Sequence, residues 1–214
     1  MARISLFWIA GIVLLFGANV FAQENPTTWE IGADYSLSHF IPALTGSRSH
    51  NLNGGGGSAV YYTPVKWLGL KMDLQGYGSK TSAIGIPVGT PRLPGGGTAT
   101  VQGNLFTYMF GPVIKKRGKV EPFGEVLVGG AYTNLYGNLF TATGVVGASP
   151  NNNAFALTSG LGIDIHVNRA VSIRPIEIGY LLTRFSNPFS GGAVNENSYR
   201  YIGGVTFNFG GSGK

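Results

Sequence analysis

Residues 29–38 read Trp-Glu-Ile-Gly-Ala-Asp-Tyr-Ser-Leu-Ser, and large apolar side chains alternate there with small or acidic ones. Successive side chains of a strand point to opposite faces. Trp29, Ile31, Ala33, Tyr35 and Leu37 therefore share one face, and Glu30, Gly32, Asp34, Ser36 and Ser38 the other. The same period returns along the chain. It predicts further strands near 55–63, 67–77, 100–112, 123–133, 155–165, 171–185 and 199–209. In the third, Leu68, Leu70, Met72 and Leu74 oppose Gly69, Lys71, Asp73 and Gln75. In the fourth, Phe106, Tyr108 and Phe110 form an aromatic face. In the second, Val60 and Tyr62 are expected on the apolar face.

The seventh stretch, Val171 to Phe185, breaks the pattern once. Proline has no amide hydrogen for a ladder, so Pro175 predicts a bulge. A one-residue slip there puts Ile173, Ile176, Ile178, Tyr180 and Leu182 on one face and Arg174 and Glu177 on the other. In the eighth stretch Tyr199, Tyr201, Val205, Phe207 and Phe209 oppose Arg200, Gly204, Thr206 and Asn208.

Charges thus recur on the face opposite the large apolar side chains. A closed barrel with apolar wall and polar interior has this pattern. Glu30, Asp34, Lys71, Asp73, Glu125, Asp164, Arg174, Glu177 and Arg200 are the expected interior charges. Glu30, Lys71, Glu125 and Arg174 are expected at similar depth, with Arg174 meeting Glu125 or Asp164. Trp29, Trp67, Phe123, Tyr180 and Tyr201 are the expected interfacial aromatic girdle.

Connections alternate in length. Long polar segments cover 39–53, 78–98, 134–152 and 186–197, and short turns lie at 64–66, 115–121 and 166–169. Long loops on one side and short turns on the other are the outer-membrane barrel arrangement. The fold class expected is all-β: an eight-stranded antiparallel up-and-down transmembrane β-barrel, with four extracellular loops.

The first 22 residues change the picture by adding an export address. Arg3, the apolar run Leu6 to Ala18, and Val20 and Ala22 before Gln23 read as a cleavable signal peptide, leaving 23–214 as a single barrel domain. The absence of Cys leaves no disulfide framework and no thiolate metal site. The net charge is +6, yet only 11% of residues are charged, and nucleic acid is not an expected partner; the basic cluster 115–119 is read as a solvated turn, with anionic lipid head groups or a periplasmic partner on Lys115, Lys116, Arg117 and Lys119 as the alternative. Gly54 to Gly57 lacks a following Lys and is not a phosphate loop.

Segments including FTYMFGPVI, EPFGEVLVGGA, FALTSGLGIDI, VSIRPIEIGYLLTRF and RYIGGVTFNFG together resemble the outer membrane protein beta-barrel domain family, related to the OmpA-type and OmpX-type barrels. The resemblance covers about Trp29 to Phe209. It implies an outer-membrane location, a monomer among lipids, and insertion by the barrel assembly machinery. Gly204, Phe207 and Phe209 match the glycine, hydrophobic and terminal aromatic positions of the C-terminal insertion signal, although Ile202 stands where a polar residue is usual and five residues follow Phe209.

Three functions fit this reading. The first is a structural or surface-interaction role through the four loops, over a side-chain-filled interior. A porin-like channel for small solutes and a soluble lipocalin-like binder are the alternatives. An enzyme is not expected: His39 and His50 with Ser36, Ser38 and Ser47 lack the spacing and acidic orienter of a hydrolase, and His39 with His50 lacks further metal ligands. No cofactor is expected, and His166 is read as a turn residue.

Overall fold

The computed structural model describes residues 28–41, 50–63, 65–90, 94–133, 153–186 and 192–210. The expected signal peptide and the expected loop 134–152 lie outside these residues. Eight strands follow in order: β1 (Trp29–Ile41), β2 (His50–Tyr62), β3 (Leu68–Ile86), β4 (Gly97–Lys115), β5 (Val120–Thr133), β6 (Asn153–His166), β7 (Val171–Ser186) and β8 (Ala193–Phe209). Each pairs antiparallel with its neighbours, and β8 returns to β1 to close the barrel. Closure leaves no unpaired edge, which a lipid environment requires.

The exterior is apolar. Ile31, Tyr35, Leu70, Met72, Phe110, Val126, Ile163, Ile178 and Phe207 are exposed, whereas Lys71, Asp73, Glu125, Asp164, Glu177 and Arg200 are buried. A soluble binding barrel would have the reverse arrangement.

Several strands extend beyond what the alternation predicts. β3 and β4 are each 19 residues long, against the roughly 9 to 11 that cross a bilayer. Their pairing continues from Lys80↔Gly103 to Ile86↔Gly97, so most of the expected loop 78–98 is a hairpin standing above the barrel. The loop expected at 186–197 also shortens, because β8 begins at Ala193. Backbone hydrogen bonds hold these extensions, and outside the bilayer they need no apolar alternation.

The phase of β2 differs from the expectation. Val60 and Tyr62 are buried inside the barrel, each 3% exposed, while Tyr61 faces out and packs against Trp29 in a tilted arrangement with ring centroids 4.9 Å apart. The run Gly54 to Gly57 supplies no apolar contrast from which to read the phase.

In β7 the ladder slips between Arg174 and Glu177, opposite Gly204 and Ile202 of β8. The bulge at Pro175 and Ile176 turns both charged side chains inward although they are three residues apart. Across the closing seam, Gly204 faces inward against β1. A Cβ there would meet the Ala33 carbonyl and lie 2.8 Å from Asp34 Cα, whereas one at the outward Gly203 would lie 3.5 Å from its nearest neighbour. Gly204→Ala should therefore lower the urea midpoint of the refolded barrel, and Gly203→Ala should leave it unchanged; equal effects would show that the seam does not need glycine.

Candidate functional site: the charged interior

Two tiers of charge fill the lumen between the short turns and its middle. In the lower tier, next to the turns, Lys115 Nζ lies 2.6 Å from Glu30 Oε2 and 2.6 Å from Asp164 Oδ2. Arg117 Nη1 donates to Glu30 Oε1 at 2.9 Å, and the Tyr62 hydroxyl donates to Glu30 Oε2 at 3.0 Å. In the upper tier, Lys71 Nζ donates to Glu125 Oε2 at 2.7 Å, and Arg200 Nη1 to Asp73 Oδ2 at 2.9 Å. Gln75 Nε2 joins Asp34 Oδ1 to this tier at 2.7 Å.

Arg174 links the tiers. Its Nε and Nη2 donate to Asp164 at 2.7 and 3.1 Å, and its Nη1 donates to Glu177 Oε2 at 2.9 Å. Lys71 lies 3.4 Å from the same Glu177 oxygen. The β7 bulge makes this bridge, since an unbroken strand would send one of the two side chains outward. Charges withdrawn from water must be paired, and here each buried cation meets at least two carboxylates.

Phe123, expected in the outer girdle, is 3% exposed inside the barrel. Its ring centroid lies 4.5 Å from Arg174 Cζ, 5.5 Å from Lys115 Nζ and 5.9 Å from Lys71 Nζ. The negative ring face therefore serves three cations. Tyr62 serves Arg117 in the same way, at 3.8 Å. Trp29, Trp67, Tyr180 and Tyr201 project outward.

A hydrogen-bonded chain closes the mouth at the turns. Asn208 Nδ2 donates to Ser172 Oγ at 2.9 Å, Ser172 Oγ lies 2.8 Å from His166 Nδ1, and His166 Nε2 lies 3.1 Å from Glu121 Oε1. Ser172 is only 2% exposed, so the hydroxyl is closed in. The His and Ser residues weighed from the sequence do not converge: Ser36 and Ser38 point inward, while the His39 ring faces out to Asn51 at 2.7 Å. Ser47 and the His50 side chain lie outside the described part of the chain. Toward the loop end, Leu105, Met109, Leu127, Ala131, Ala156, Leu181 and Phe185 form an apolar layer inside the barrel.

No family model matches the sequence, and no curated protein matches it. Among solved structures, Neisserial surface protein A is similar over 86% of this chain and 98% of its own, at 14% identity and a TM-score of 0.55. The outer membrane protein OprG from Pseudomonas aeruginosa is similar over 87% and 97%, at 10% identity and a TM-score of 0.51. The chain has the fold of an outer-membrane β-barrel.

The residues expected inside the barrel do face inward, but they do not share one depth. Glu30 pairs in the lower tier, Lys71 and Glu125 pair in the upper, and Arg174 stands between them. Sequence reasoning missed Lys115, Arg117, Glu121 and His166. Lys115 and Glu121, each 1% exposed, belong to the interior and not to a solvated turn. The signal was present: continuing the β4 alternation past Met109 and Val113 places Lys115 inside, and running β5 back from Leu127 and Glu125 places Phe123 and Glu121 inside. His166 ends β6 with its ring on Glu121.

Removing one partner of a buried pair strands the other. Lys115→Met should cost about 3–5 kcal/mol in urea unfolding of the refolded barrel. Lys116→Met, one residue on, should change it by less than about 0.5 kcal/mol. Similar costs for the two would return Lys115 to the solvated turn.

Proposed function

We propose that this outer-membrane barrel serves a structural or surface-interaction role through its loop end, over an interior closed by its own side chains. The observation that carries this reading is the continuous path of paired charges from Arg117 and Glu30 through Lys115, Asp164 and Arg174 to Glu177, Lys71, Glu125, Arg200 and Asp73. Eight strands enclose a bore that side chains fill. Beyond this path, Met109, Leu127 and Leu181 add an apolar layer across the route of any hydrated solute. The β3–β4 hairpin supports the role assigned to the loop end, since it carries main-chain pairing well past the wall.

Partners in this reading are the surrounding lipid, a loop ligand whose chemistry is open, and the barrel assembly machinery. Phe207 and Phe209 project outward on β8, 45% and 50% exposed, where an insertion factor could read them before closure, and Gly204 lies against β1. The barrel is taken as a monomer, because closure satisfies every strand within one chain.

Planar-bilayer recording is the test. The purified barrel should insert without stepwise conductance. Discrete conductance steps from wild-type protein would replace the present reading with the channel reading.

A further inference from the structure

The two signs of charge are segregated across the barrel wall. Among the described residues every acidic side chain points inward: Glu30, Asp73, Glu121, Glu125, Asp164, Glu177 and Glu196 are buried, and the half-buried Asp34 is held by Gln75. Among the described residues, the cations outside the barrel therefore have no carboxylate beside them. Most of these cations lie at one end. Lys66 is in the β2–β3 turn, Lys116 and Lys119 in the β4–β5 turn, and Arg169 in the β6–β7 turn; Lys66, Lys119 and Arg169 are exposed, and Lys116 is partly so.

Backbone contacts join these turns into one rim. Lys115 N donates to the Trp67 carbonyl at 2.8 Å, and His166 N to the Lys119 carbonyl at 3.0 Å. Arg117, whose guanidinium group turns into the lumen, also donates from Nε to the Lys66 carbonyl at 2.9 Å. Arg117 thereby ties the rim to the buried charge network.

Depth is fixed by the neighbours of these cations. Val65 and Trp67 flank Lys66, Val120 follows Lys119, and Val167 precedes Arg169 by two residues; all four apolar side chains are 44–60% exposed. Apolar and Trp side chains at the end of a barrel wall sit at the acyl and glycerol level, and long cationic side chains reach from there to the phosphates.

We infer that the rim of Lys66, Lys116, Lys119 and Arg169 binds the phosphate headgroups of anionic phospholipids in the leaflet at the short-turn end. Charge complementarity selects this occupant, since the rim offers cations at phosphate depth and, among the described residues, no exposed carboxylate competes for them. Binding would hold the turns in place and, through Arg117 and Lys115, brace the lower tier. The inference rests on the barrel being embedded in a membrane.

The test reconstitutes the full chain in nanodiscs of equal phosphatidylcholine and phosphatidylglycerol, then counts the lipids retained after detergent extraction by native mass spectrometry. Wild type should retain phosphatidylglycerol over phosphatidylcholine by about tenfold or more. The combined variant Lys66→Asn, Lys116→Gln, Lys119→Gln, Arg169→Gln should fall to about twofold or less; Asn is used at Lys66 because φ is 67° there. Lys116→Arg with Lys119→Arg should keep the wild-type preference. Wild type without a preference, or a combined variant that retains it, would overturn the inference, as would selective retention of an acidic protein in place of the lipid. Heat-modifiable gel migration of the same samples reports separately whether the barrel is folded and embedded.

Discussion

Neutralisation of charge inside a closed wall is the constraint on which this molecule depends. Two unit charges attract more strongly, and a lone charge is costlier, as the surroundings become less polarisable. Glu30, Asp73, Glu121, Glu125, Asp164 and Glu177 can be enclosed together only because Lys71, Lys115, Arg174 and Arg200 and the guanidinium group of Arg117 are enclosed with them. Carboxylates outnumber cations in this set, so cations are shared. Lys115 serves Glu30 and Asp164, and Arg200 serves Asp73 and Glu125. The rings of Phe123 and Tyr62 supply further negative potential where the cations crowd.

Backbone irregularity is what makes the sharing continuous. Without the bulge at Pro175, Arg174 and Glu177 would lie on opposite faces of β7, and the two tiers would lose their link. A local break in strand regularity therefore changes the electrostatics of the whole interior. The closing seam imposes a separate demand, met by Gly204, where a side chain would collide with the main chain of β1.

Segregation of charge shapes the outside as well. Drawing the described acidic side chains inward leaves an apolar wall, and at the short-turn end it leaves Lys66, Lys116, Lys119 and Arg169 with no counter-charge among the described residues. Interior pairing and the exterior rim of cations are thus two results of one distribution. Arg117 belongs to both, with its guanidinium group on Glu30 and its Nε on the backbone of the turn that carries Lys66.

The sequence alone was enough to indicate a closed barrel with an apolar wall and a charged interior, because alternation of large apolar with small or charged residues is a local signal repeated on strand after strand. It also placed Arg174 and Glu177 on one face, since proline's missing amide hydrogen marks its own bulge. It failed where alternation carried no contrast or where a residue type misled. The glycines of β2 hid its phase, so Val60 and Tyr62 were assigned to the wall. Phe123 looked like girdle and Lys115 looked like turn, because side-chain chemistry there pointed one way and strand parity the other; Arg117 does lie in the turn, and only the fold sends its guanidinium group into the lumen. Only the tertiary structure decided which carboxylate each cation meets. Those pairings join residues as far apart as Asp73 and Arg200, and they depend on barrel closure and strand register, which no local pattern records.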